Sequence, residues 1–272
     1  SGTVVRLHGG HHFWCATLPQ PRRFGRSLLE QYALRRASVL CAVSRFAADV
    51  TRDAVRLGRR PIEVLSNPVD TSRFTPAPDT VRRGAVLFVG AITEKKGVRE
   101  LCAAMPAIRR RHPHAQLDLV GRDILRTPSA TPLREQILAS LPQDEREHVR
   151  FLGPKPRHEI SALMAAAHVC VFPSHMETQG IVLLEAMAAG RPVVASTRGP
   201  CPDVLGAAGD CGVLVDPTRP ADIADKVSRV LADDALAARM GERGRARAVE
   251  QFSLPVCLDR NVAFYRRHRQ RR

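Results

Sequence analysis

The chain has almost no lysine. Only Lys95, Lys96, Lys155 and Lys226 occur in 272 residues that carry a formal net charge of +15, so the positive charge is nearly all arginine. Long apolar runs are also missing. Charges or prolines interrupt every stretch before it reaches the roughly 18 residues that a membrane-spanning helix needs. No CxxC pair occurs, and the seven cysteines, at 15, 41, 102, 170, 201, 211 and 257, are scattered. They read as free thiols in a reducing cytoplasm, not as a disulfide framework. The start, "SGTVVRLHGGHH", lacks the charged segment and apolar stretch of a secretory signal. There is no repeat, no low-complexity segment, no aromatic-interleaved basic stripe and no DNA- or RNA-binding signature, which excludes nucleic acid as the expected partner. An arginine-biased charge of this size then points to a phosphorylated small molecule or an anionic membrane surface. Its densest group is the tail "FYRRHRQRR", residues 264–272.

What the sequence does have is alternation. Short apolar runs at 3–8, 39–44, 62–67, 85–90, 115–121, 149–153, 169–174, 192–196 and 212–217 read as strands. Amphipathic segments fall between and after them, near 24–37, 44–57, 97–111, 131–141, 157–167, 180–189, 200–207, 219–232, 234–251 and 255–268. Strongly apolar strands alternating with helices predict an α/β protein with parallel, doubly wound sheets covered by helices on both faces. Residues 67–84, polar and with three prolines, read as an interdomain linker. At least six strands follow it, enough for a full doubly wound domain. The piece before it has about three strands and two helices and opens directly on a strand. We expect upstream sequence or a partner to complete it.

Ligands in open α/β sheets bind at the carboxyl ends of the strands. Gly90 to Gly97, "GAITEKKG", follows the 85–90 run and leads into a helix; a glycine turn, Lys96 and a helix N-terminus suit a phosphate. Gly121-Arg122-Asp123, Gly153-Pro154-Lys155 and Ser174-His175-Met176-Glu177 end the next runs. Each presents a glycine, a cation or a carboxylate.

The most informative stretch is "ETQGIVLLEAMAAGRPVVAS", residues 177–196. Glu177 or Thr178 is placed to cap a helix beginning near Gly180, which Gly190 and Pro192 end. The amides of Gly180, Ile181 and Val182 would then face an anion. Glu177 and Glu185 lie at most about 12 Å apart at 1.5 Å per residue. That fits two carboxylates bracketing a diphosphate, one on a ribose and one on a sugar. It fits equally a capping residue and a helix glutamate paired with a nearby arginine.

"FVGAITEKKG", "VRFLG", "FPSHMETQGIVLLEAMAAGRPVVAS", "GPCPDVL" and "GVLVDP", in that order, resemble the nucleotide-sugar-binding half of a family 4 glycosyltransferase of GT-B fold. "CAVSRFAADV" and "VLSNPVDTSRF" resemble the end of that family's first domain. The resemblance implies a remnant of an acceptor-side Rossmann-like domain at 1–75, a complete donor-binding Rossmann-like domain at 76–254, and a basic helix at 255–272 packing back on the N-terminal part. It implies a retaining transferase that moves a hexose from a nucleoside-diphosphate sugar to a hydroxyl acceptor, in glycan or glycolipid biosynthesis, without metal or cofactor. Glu185 would hold the ribose and Glu177 the transferred sugar. Gly90 and the amides of Gly180, Ile181 and Val182 would meet the diphosphate and sugar, Lys96 the diphosphate. Backbone near Gly153 would line the base, and His8 would stand beside the sugar.

One departure matters. The family usually has an arginine where this chain has Ala91, and Arg122 is the expected replacement cation, with Lys95 second. Two other readings remain open at this level, a nucleotide-sugar-binding module without transfer and a sugar-nucleotide 2-epimerase on the same fold. "HGGHH" does not read as a metal site, because no Asp or Glu occurs before Glu30. His11 and His12 are placed in a loop, and Ser44 is read as a helix cap. The charge makes a lipid-linked or phosphorylated acceptor and a peripheral position at the inner membrane surface the expectation.

Overall fold

The structure is a computed structural model that describes residues 2–18, 23–124, 131–206 and 209–269. The first part holds β1 (Val4–Leu7), α1 (His11–Thr17), α2 (Phe24–Arg36), β2 (Val39–Ala42), α3 (Arg45–Val55) and β3 (Glu63–Val64). Its three strands are parallel, in the order β1-β2-β3. The second part holds β4 (Ala85–Val89), α4 (Val98–Arg111), β5 (Gln116–Val120), α5 (Leu133–Ser140), β6 (Val149–Gly153), α6 (Arg157–Ala166), β7 (Val169–Phe172), α7 (Ile181–Ala188), β8 (Val193–Ser196), α8 (Cys201–Leu205), β9 (Val213–Val215), α9 (Pro220–Ala232) and α10 (Asp234–Arg247). A π turn at Ala248–Phe252 then leads to α11 (Leu254–Arg269).

The six strands of the second sheet are parallel, in the order β6-β5-β4-β7-β8-β9. Counted within this sheet, the order is 3-2-1-4-5-6, that of a dinucleotide-binding Rossmann sheet. The direction of winding reverses between β4 and β7. Every residue of β4, β7 and β8 is buried, which is why these runs are almost wholly apolar. The neighbouring strand β5 carries a charge in its middle, Asp118. It is buried, and Arg150 of β6 meets both its carboxylate oxygens at 2.6 and 2.7 Å.

α7 is apolar around its whole circumference because it is enclosed by β8, α6, α10 and the π turn. All residues from Leu183 to Ala188 are buried, Glu185 among them.

α11 returns to the first sheet. Phe264 is fully buried against Cys41 and Leu65, with Val4 and Val39 beside them. Glu63 of β3 pairs with Arg267 at 2.6 Å and with His268 at 3.1 Å, so part of the basic tail is engaged in packing. Residues 270–272 of that tail lie outside the described residues. The segment 67–84 is held along its length. Asn67 is bonded to Gln179, Val69 forms a parallel bridge with Ser253, and Phe74 is buried.

All nine expected strands and all ten expected helices are present, with ends shifted by a few residues. Among the described residues one α-helix was not expected. His11 and His12 open α1 instead of lying in a loop. The reason is tertiary. Phe13 is fully buried against Trp14 and Phe46, and the Glu30 carboxylate accepts the His12 amide N–H while pairing with its ring Nδ1, both at 2.8 Å. Ser44 caps α3, accepting the Ala47 amide at 3.0 Å, as its position predicts.

Candidate active site

The switch point between β4 and β7 brings together the loops that follow those strands. The β4 loop ends in a 3₁₀ turn at Glu94–Lys96, and the β7 loop runs from Pro173 to Gly180. They are joined through backbone: the amides of His175 and Met176 donate to the Lys95 carbonyl, at 2.9 and 3.4 Å. Gly97 permits this approach. Its φ is +68°, and a Cβ there would lie 1.9 Å from the Pro173 carbonyl oxygen. The consequence is chemical. Lys96 Nζ meets Glu177 Oε1 at 2.5 Å and Oε2 at 2.9 Å, with both side chains about one-fifth exposed. The lysine and the carboxylate are 81 residues apart in sequence.

Glu185 sits on α7, one turn in from the open end. Its carboxyl is held above the usual carboxylate range by burial, and the Arg157 and then the Arg73 guanidinium pull it only part of the way back. Arg157 Nη1 lies 3.3 Å from Glu185 Oε1 and is mostly exposed. The arginine pairing that spacing alone left open is therefore real, and so is the burial. A carboxylate this enclosed has few hydrogen bonds in its present surroundings and can still accept from a ligand hydroxyl.

Neither Glu177 nor Thr178 caps α7, contrary to expectation. Gly180 is the cap, in a left-handed conformation and with no side-chain bond. Glu177 is committed to Lys96, and the Thr178 carbonyl accepts the Ser44 hydroxyl at 2.5 Å. The first amides of α7, Ile181 and Val182, have no intrahelical acceptor and carry the positive end of the helix dipole.

The remaining expected residues are placed as follows. Gly90 directly follows β4, and Gly153 ends β6, its carbonyl accepting the Gly121 amide at 3.0 Å. Arg122 is exposed in the loop after β5, which is tied to the β4 loop: the Ile92 amide donates to the Arg122 carbonyl at 2.9 Å, and Ile92 bridges Asp123. Arg122 thus flanks Ala91 from the neighbouring strand end. Lys95 is drawn away, with its Nζ 5.2 Å from the centre of the Trp14 ring. His8 lies at the end of β1 with its side chain exposed, and the surrounding protein and then the Arg6 guanidinium hold its imidazole below the ordinary value. The next residue, Gly9, faces the β7 loop so closely that a Cβ on it would lie 2.8 Å from Thr178 Cγ2.

Sequence reading missed the residues that fix this geometry. Gln179 is buried, and its side-chain amide accepts from the Asn67 N–H at 2.8 Å and donates to the Asn67 carbonyl at 2.9 Å. Together with Ser44 it ties the first part of the chain to the loop carrying Glu177. Arg157 opens α6 directly after the Gly153-Pro154-Lys155-Pro156 turn, a strand-end position that could have been read with the others. Among the described residues no group of three or more His, Cys, Asp or Glu side chains is arranged to hold a metal ion. No described helix is long and apolar enough to cross a membrane.

Comparison with known proteins agrees with this arrangement. A family model described as "Glycosyl transferases group 1" matches residues 78–247, and one described as "Glycosyltransferase Family 4" matches residues 2–73. The chain is 32% identical over 263 residues to the alpha-maltose-1-phosphate synthase of Mycolicibacterium smegmatis, covering 89% of this chain and 66% of that protein. It is 31% identical over 226 residues to a glycogen synthase of Mycobacterium tuberculosis, covering 82% of this chain and 53% of that one. The chain thus spans only about half to two-thirds of these relatives' length. Among solved structures, sucrose-phosphate synthase from Thermosynechococcus elongatus superposes with a TM-score of 0.83 at 27% identity, covering 97% of this chain and 67% of that one. HepE of Anabaena, solved with UDP and glucose, superposes with a TM-score of 0.78 at 20% identity, covering 97% and 71%. With a Rossmann sheet whose switch point carries Lys96, Glu177 and Glu185, and with both parts matched in order, the chain belongs to the group 1 glycosyltransferases of family 4 type and has a GT-B fold.

Proposed function

We propose that this chain carries the donor site of a retaining glycosyltransferase that moves a sugar from a nucleoside diphosphate to a hydroxyl acceptor. The observation that carries the reading is the position of Lys96 and Glu177 at the switch point, beside the open end of α7 and the buried Glu185. A diphosphate laid across the α7 N-terminus would be met by the amides of Ile181 and Val182 and by Lys96, with Arg122 as the second cation. Glu185 would accept the ribose hydroxyls and Glu177 those of the transferred sugar. The base would lie against backbone near Gly153. HepE, solved with UDP and glucose, supports a uridine nucleotide as the first donor to try.

In the reaction, the bond from the sugar C1 to the phosphate oxygen breaks and both its electrons leave on the diphosphate. The acceptor oxygen forms the new bond to C1 and gives its proton to the oxygen of the departing diphosphate. The residues named neutralise the departing charge, so no metal is required. His8, neutral at neutral pH, would accept a hydrogen bond from the sugar on the opposite wall.

Calorimetry with UDP-, GDP-, ADP- and dTDP-sugars tests the donor site. One of them should bind, and Arg122→Ala should weaken it about tenfold, the worth of one charge-assisted contact. If none binds, the reading fails. If Arg122→Ala leaves affinity unchanged, that residue is cleared of the role. Product analysis with acceptor present separates transfer, which frees nucleotide, from epimerisation or from binding alone.

Contact with acidic lipid is the second part of the proposal, and it is supported better by α2 than by the tail. Phe24, Leu28, Leu29 and Tyr32 of α2 are 78%, 49%, 72% and 65% exposed, and Arg23, Arg26, Arg35 and Arg36 are exposed around them. That is the composition of a helix lying in a headgroup layer. Sedimentation with phosphatidylglycerol vesicles should be lost in a Phe24→Ser/Leu29→Ser variant and kept when residues 270–272 are removed. The reverse result would return the contact to the tail.

A further inference from the structure

A pocket of about 770 Å³ lies at the edge of the second sheet opposite the donor site. His168 and Pro192, which precede β7 and β8, line it, together with the segment entering β4 and one face of α10. Its walls are largely apolar, built from Pro76, Pro78, Pro192, Val81, Ala237 and Ala238. Three arginines and two carboxylates also face it, and their states differ. Arg83 pairs with Asp234. Arg245 is spent on carbonyls: it donates to Phe74 at 2.8 Å and to Ala188, the last residue of α7. His168 takes the Gly84 amide on Nδ1 at 3.2 Å and lies 3.5 Å from Asp234 through Nε2.

Arg191 is the exception. It is half-buried, its Nε is buried without a hydrogen-bond partner, and among the described residues no carboxylate lies within ion-pair distance of it. No described carboxylate answers this half-buried guanidinium at ion-pair distance, and burial lowers its pKa, with Cys170 offsetting part of the effect. The remaining carboxylate, Glu242, is on α10 and belongs to the same lining without pairing to Arg191. The geometry points to a binding site for a small amphiphilic anion, a carboxylate, sulfonate or phosphate on a compact apolar body. Its head would pair with the charge of the Arg191 guanidinium, and its body would cover the proline and alanine wall. The volume is that of a site for a drug-sized molecule.

The site stands apart from the proposed donor cleft, so it can be tested without any sugar nucleotide. Arg191 joins the end of α7 to β8, and α7 is about 12 Å long at 1.5 Å per residue, with the donor amides at its other end. The probe is naphthalene-1-sulfonate, followed by calorimetry on the full chain, with naphthalene-1-methanol as its neutral counterpart. We expect saturable one-to-one binding of the sulfonate and weaker binding of the alcohol. Arg191→Gln should weaken the sulfonate at least tenfold and leave the alcohol unchanged. Ala238→Trp, at an exposed position on the pocket wall, should fill the pocket and abolish both. No binding of the sulfonate at millimolar concentration overturns the inference. So does binding that survives Ala238→Trp, or equal binding of sulfonate and alcohol. An unchanged melting temperature in Ala238→Trp confirms that lost binding reports on the pocket, which keeps the test decisive if Arg191→Gln is unstable.

Discussion

Replacing Glu177 by glutamine should make the protein bind a nucleoside diphosphate more tightly while impairing its use of the sugar. Lys96 is held by both oxygens of Glu177, at 2.5 and 2.9 Å, with side chains 20% and 22% exposed. A diphosphate must compete with that carboxylate for the ammonium. Fully exposed ion pairs are worth about 0–1 kcal/mol, and breaking a fully buried one costs about 3–5 kcal/mol. This pair lies between, so we take about 1–2 kcal/mol as the energy that a phosphate must overcome. At about 1.4 kcal/mol per tenfold, removing the competitor should tighten nucleoside-diphosphate binding about 5- to 30-fold. The nucleotide sugar should gain less, because Glu177 is also the proposed acceptor of sugar hydroxyls. Calorimetric titration of both ligands against wild type and Glu177→Gln measures the split directly. If the variant binds the diphosphate no more tightly than wild type, Lys96 does not face the phosphates and the proposed donor pose is wrong. A melting curve run alongside should show a drop of a few degrees, since Lys96 loses its partner.

Donor binding should weaken on acidification earlier than an ordinary glutamate would cause, because burial holds the Glu185 carboxyl above its usual range. Its carboxylate form, the proposed acceptor of ribose hydroxyls, is complete above that raised pKa and is lost as pH falls through it. Nucleotide-sugar affinity should fall about fivefold across that window and stay flat in Glu185→Gln. Gln179→Leu should cost about 2–4 kcal/mol in urea denaturation, because both the amide and the carbonyl of Asn67 lose their partner; a cost under 1 kcal/mol would mean the clamp is redundant. Gly97→Ala should be more severe, since its Cβ would lie 1.9 Å from the Pro173 carbonyl at a φ of +68°. We expect at least about 3 kcal/mol of destabilisation, or loss of soluble protein, and a near-neutral result would show that the two loops can separate.

Much of the fold was legible because parallel strands buried on both faces have to be apolar almost without interruption. β4 and β7 announce themselves for that reason, and the glycines and charged residues at their ends mark the functional edge. α1 was not legible, because its first turn has no capping residue of its own. Glu30, eighteen positions downstream on α2, supplies the acceptor. Lys96 and Glu177 were each visible as candidates, but their mutual pairing was not, since 81 residues separate them.

The sequence by itself determined that two carboxylates eight residues apart flank the start of an apolar helix, and that four strand ends each present a glycine, a cation or a carboxylate. It could not say whether Glu185 was a surface ion pair or a buried acceptor, because spacing along one helix carries no information about what encloses it. The tertiary structure decided that point in a way neither alternative alone described. β8, α6 and α10 bury the carboxylate, and Arg157, brought in from α6, still reaches it. Strand order decided the rest. The 3-2-1-4-5-6 arrangement sets β4 beside β7, and that adjacency brings a lysine and a glutamate from distant loops into contact.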